Sequence, residues 1–83
     1  MKIVNVSIEK FAEQFKKEYE FLYDNYDRVA GYTEAVDAFD VFIQDEQRAA
    51  FVGEFAKYRQ DMITSDREAA AFMFALDAMG ALE

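Results

Sequence analysis

The side chains with chemical potential in this chain are carboxylates and tyrosines. Histidine, cysteine, proline and tryptophan are all absent from its 83 residues. Paired carboxylates can exchange protons or hold a divalent cation, and the nearest pairs are Asp24 with Asp27 and Asp37 with Asp40. Neither pair lies in an EF-hand pattern, which needs oxygen ligands at alternate positions around a central glycine. Di-iron helical sites need a Glu-x-x-His motif, and there is no imidazole to supply it. Nucleophilic catalysis lacks both a thiol and an imidazole base. Ser7, Thr33 and Ser65 all fall where a helix cap explains them. Gly31, Gly53 and Gly80 form no phosphate-binding loop, and Gly53 is expected to let two helices pack closely. The residue types therefore point to a non-catalytic protein with no cofactor and no metal.

What remains is charge, and its placement is uneven. Seventeen acidic residues face nine basic ones, a net charge of -8. From Glu18 to Glu46 nine residues are acidic and only Arg28 is basic, so the whole net charge sits in that segment. Four of the five tyrosines, Tyr19, Tyr23, Tyr26 and Tyr32, lie there too. Glu20, Asp24 and Asp27 follow one helical face, and Glu34, Asp37 and Asp40 follow another. Like charges at three- and four-residue spacing repel, and carboxylates near a helix C-terminus oppose its dipole. Evenly mixed signs would serve solubility better.

The elements that position these residues read as helices throughout. Ile8, Phe11, Phe15, Tyr19, Leu22, Tyr26 and Val29 recur at spacings of three and four, the stripe of an amphipathic helix. Ser7 is its expected N-cap and Gly31 its expected stop. A second helix restarts at Thr33 with Val36, Phe39, Phe42 and Ile43. Asp45 is expected to cap a third helix carrying Phe51, Val52, Phe55, Tyr58, Met62 and Ile63; one continuous helix over 33–63 is the alternative. Ser65-Asp66-Arg67-Glu68 forms a capping box, opening a fourth helix that ends at Gly80. Met1 to Val6 has no partner strand and reads as an extended lead-in. The expected fold is one all-α domain over 1–83, a bundle of three to four helices with a short extended N-terminal lead-in.

Nine phenylalanines and five tyrosines are many for so short a chain, since a domain this small hides only about 60–65% of its unfolded surface. Phe21, Tyr23 and Phe74 fall off the main stripes. An aromatic and alanine-rich helical face, above all in the fourth helix, is thus an expected seam for a homodimer. No secretory signal and no apolar run of membrane-spanning length is present, so the expected location is cytoplasmic, with no membrane partner.

The acidic segment sets the functional expectation. One carboxylate per turn places a charge about every 5 Å of helix axis, and two adjoining stripes would place one about every 2.7 Å. Duplex DNA carries one about every 1.7 Å. Such a surface repels nucleic acid and attracts proteins that bind it. Glu20, Asp24, Asp27, Glu34, Asp37 and Asp40 would supply charge, and Tyr23 and Tyr32 rigid contact area. A basic, nucleic-acid-binding protein is the expected partner. The alternatives are a homodimer with a merely solubilising acidic face, and a solvated face with no partner. In style the chain resembles the acidic DNA mimics among phage anti-restriction and anti-CRISPR inhibitors. No motif carries that resemblance, so it implies an inhibitor class, and the host cytoplasm if the chain is phage-encoded, but no residue roles.

Overall fold

The structure is a computed structural model that describes residues 6–82. Among these residues the chain forms four α-helices: α1 (Ile8–Asn25), α2 (Tyr32–Phe42), α3 (Glu46–Arg59) and α4 (Asp66–Ala78). A single 3-10 turn, Tyr26–Arg28, follows α1. The expected lead-in lies outside the described residues except for Val6, which packs against the core.

Three of the four helices begin where the sequence provides a side-chain cap; α2 does not, because Thr33, expected to cap it, lies inside its first turn and Gly31 precedes it with no side-chain cap. The Ser7 hydroxyl accepts from the Lys10 amide at 3.4 Å, and the Asp45 carboxylate accepts from the Arg48 amide at 3.0 Å. The second cap settles the break after α2, and a continuous helix over 33–63 is excluded. Ser65 accepts from the Glu68 amide at 3.2 Å. The reciprocal bond of the expected capping box is displaced by one residue, because the Glu68 carboxylate takes the Thr64 amide at 3.2 Å. The stops differ more from expectation. α1 ends at Asn25, short of Gly31, which takes φ 83° and serves instead as the N-cap of α2. Tyr26 and Val29 thereby leave the first helical stripe. α3 ends at Arg59, with its C-cap Gln60 held at φ 59°, so Met62 and Ile63 lie beyond the helix. Gly80 closes α4 at φ 63°, with the Ala81 amide reaching back to the Leu76 carbonyl at 2.9 Å.

The core is built around α4. Ala69, Ala70, Ala71, Phe72, Met73, Ala75 and Leu76 are all buried; the four alanines let α1 and α2 pack on α4, and Phe72, Met73 and Leu76 fill the space between. Phe72 is the hub: edge-to-face contacts join its ring to Phe11, Phe39, Phe42, Phe51 and Phe55 at 4.8–5.9 Å. Such pairs add about 0.5–1.5 kcal/mol each beyond area burial. Most of the alanine-rich face expected as a dimer seam is therefore spent on the monomer's own core, while Phe74, half-buried, and Ala78, exposed, stay at the surface. The expected role of Gly53 is also corrected. A Cβ built there meets nothing within 4 Å, so no helix approaches it closely.

Ile43, expected in the α2 stripe, caps the helix and is exposed, while Ala35 takes the buried position one turn from Phe39. Phe74, expected off-stripe, is half-buried against the core, whereas Phe21 and Tyr23 remain largely in solvent.

Candidate functional site: the acidic corner

The six expected carboxylates are all exposed. Among the described residues none of them pairs with a basic side chain. Glu20 and Asp24 lie on α1, while Asp27 falls in the 3-10 turn, so the first stripe continues past the helix end only as a corner. Glu34, Asp37 and Asp40 lie on α2. Glu34 occupies the first turn of that helix, where the dipole favours a carboxylate, and Asp40 the last, where it does not. Asp45 and Glu46 are accounted for by the capping and first turn of α3.

Helices α1 and α2 make their main contacts with α4 and not with each other. The charge spacing expected for two adjoining stripes therefore does not hold for a packed helix pair. The two lines of charge meet at the corner between them. Asp27 and Glu34 line one open concavity of about 360 Å³ with Tyr26 and Tyr32. A second concavity of about 340 Å³ adjoins it, lined by Tyr19, Tyr26, Tyr32, Ser65, Asp66 and Arg67.

An arginine organises the tyrosines here. The Arg67 guanidinium, in the first turn of α4, lies 5.0 Å from the Tyr23 ring centroid and 4.7 Å from that of Tyr26. Cation–π contacts of this kind contribute about 0.5–1 kcal/mol at exposed sites. Tyr32 lies 5.5 Å from Tyr26, with the rings inclined at 51°, and Tyr19 lies 6.3 Å from Tyr23. Partial burial, and then the Asp66 carboxylate, push the Tyr32 hydroxyl above its ordinary value. Tyr23 is 57% exposed and Tyr32 half-buried. Tyr23 is thus offered to solvent over Arg67 and Tyr19, while Tyr32 backs Tyr26.

Tyr26, Asp66 and Arg67 belong to this corner but were not among the expected residues. Their types were visible. Tyr26 fits the α1 apolar stripe, and nothing in the local pattern shows that α4 begins beside the end of α1.

Among the described residues no three acidic side chains converge as metal ligands, and no helix is long and apolar enough to cross a membrane. The chain matches no protein-family model, no curated protein and no solved structure.

Proposed function

We propose that this is a non-catalytic binding protein whose acidic corner docks on a basic, nucleic-acid-binding protein and blocks it. The observation that carries the reading is the state of the six carboxylates from Glu20 to Asp40. They hold most of the chain's excess charge, stand in solvent, and have no ion-pair partner among the described residues. Asp37 and Asp40 repel one another along α2 and Asp40 opposes its dipole, each at a cost of a few tenths of a kcal/mol. A binding role accounts for charges that folding does not favour.

The mechanism is competition. Carboxylates would take the place of phosphates on the partner's Lys and Arg side chains, with fast, salt-sensitive association. Tyr23, held by Arg67, would supply rigid contact area among the charges. This is the action of a nucleic-acid mimic, although the array is a corner and not two parallel rows. The test is affinity capture at low and high salt with the wild type and the variant D24N/D27N/D37N/D40N. The wild type is expected to retain at low salt a protein that binds nucleic acid, and the variant to lose it. Equal capture by both contradicts the reading.

A further inference from the structure

A second feature, a groove, lies outside the corner. It lies between the second half of α1 and the end of α4, and Phe21, Leu22, Val29, Phe74 and Ala78 line it. Its two charged groups are both carboxylates, Glu18 from α1 and Asp77 from α4. We propose that this groove seats one large apolar side chain of the basic partner, with a Lys or Arg beside it meeting Glu18 or Asp77. The inference rests on the proposed function and adds a salt-resistant anchor to it.

Three observations favour that occupant. The groove measures about 210 Å³, below the roughly 300–1,000 Å³ of small-molecule pockets and on the scale of a single large side chain. Phe21 is 58% exposed at its edge, on a helix face that folding would leave polar. Asp77 stands in the last turn of α4, where no basic residue offsets the helix dipole and a carboxylate is disfavoured. Neither Glu18 nor Asp77 has an ion-pair partner among the described residues. An apolar cleft flanked only by negative charge complements an apolar side chain flanked by positive charge. Side chains that fill a desolvated pocket near the centre of an interface carry most of its binding energy.

Two synthetic helical peptides of equal length and equal Lys/Arg content test this, one with Leu and Phe among its basic residues and one with Gln in their place. Each is titrated into isotope-labelled wild type, F21A and the D24N/D27N/D37N/D40N variant, following affinity and amide shifts at several salt concentrations. The Leu/Phe peptide is expected to bind the wild type about tenfold more tightly than the Gln peptide, with shifts at Phe21, Val29 and Ala78. In F21A that advantage disappears, while the Gln peptide keeps its affinity and its salt dependence. The four-carboxylate variant weakens both peptides and preserves the advantage. Because Phe21 is exposed, an unchanged melting temperature shows that F21A is folded. Equal affinity of the wild type for the two peptides, or shifts that avoid the groove, overturns the groove and leaves the acidic corner standing. Failure of both peptides to bind overturns both readings. Groove shifts that follow protein concentration without peptide show a second copy in the groove and also overturn the proposal.

Discussion

Arg59 and Glu68 form an ion pair that ties the end of α3 to the first turn of α4. The pair is enclosed. The Arg59 guanidinium lies 5.1 Å and 5.5 Å from the ring centroids of Phe15 and Phe55, and donates to the carbonyls of Asp61 and Met62. Glu68 accepts in addition from the Thr64 amide, the Thr64 hydroxyl and the Ser65 hydroxyl. Two charges thus fix the whole connection between two helices, and they orient α4, whose first turn carries Arg67 of the acidic corner.

Substituting Glu68→Gln is expected to destabilise the fold by about 1–3 kcal/mol, because it removes the charge-assisted hydrogen bonds to Glu68 while Arg59 keeps its second ion pair, with Asp61 at 3.2 Å. In a domain of this size each kcal/mol lost lowers the melting temperature by about 4–8 °C. The effect depends on pH. Burial opposes ionisation of Glu68, but the hydrogen bonds from Arg59, Thr64 and Ser65 outweigh it and hold the carboxyl below its ordinary value. A group depressed in the folded state stabilises above its unfolded pKa, and that stabilisation is lost as pH falls through the folded one. Wild type and E68Q should therefore converge in stability as the pH drops below the usual carboxylate range. Melting curves from neutral to acid pH check it, and a gap that is constant with pH contradicts it.

Two backbone positions, one inside α3 and one at its C-cap, should both be improvable. Gln60 holds φ 59° at the helix end, the left-handed position that glycine fills without strain. Gly53 sits mid-helix, where a Cβ meets open space. Q60G and G53A are each expected to raise stability by about 0.5–1 kcal/mol, read as an upward shift in a denaturant midpoint. The two changes are opposite in chemistry and equal in sign, which makes them a sharp check on the α3 backbone.

Much of this arrangement is legible in the sequence. Phe11, Phe15, Leu22, Phe39, Phe42 and Phe55 are core residues both by spacing and by burial, because helical periodicity reports which face turns inward. Ser7, Asp45 and Ser65 mark true helix starts because their short acceptors match the unsatisfied amides there. The stops were harder to read. Gly31 suits a helix end, but its left-handed backbone starts α2, while the less permissive Gln60 ends α3. Tertiary neighbours were not legible at all. Local spacing predicts that α4 has small and large faces, but not that it is enclosed by the other helices. The exposed carboxylates were identifiable from charge alone. Their convergence at Asp27 and Glu34, and the clamping of Tyr23 and Tyr26 by Arg67, depend on how the helices pack.

That clamp has its own signature. Replacing Arg67 with Ala removes two cation–π contacts and is expected to cost about 1–2 kcal/mol. Tyrosine is the chain's intrinsic fluorophore, since tryptophan is absent, so R67A should change tyrosine emission and near-ultraviolet dichroism. If the clamp positions Tyr23 for binding, R67A also weakens partner affinity at a temperature where the fold is intact. Unaltered tyrosine spectra would show that Arg67 does not hold the rings.

The central claim is that the acidic corner competes with nucleic acid for a basic protein. Its most direct test is displacement: a partner captured at low salt is purified and loaded with labelled duplex, and this protein is titrated in. The account predicts that the wild type releases the duplex, less effectively as salt rises. It also predicts that D24N/D27N/D37N/D40N, folded and no less stable once its like charges are relieved, releases none. A duplex displaced equally by the variant, or retained against the wild type, would contradict it.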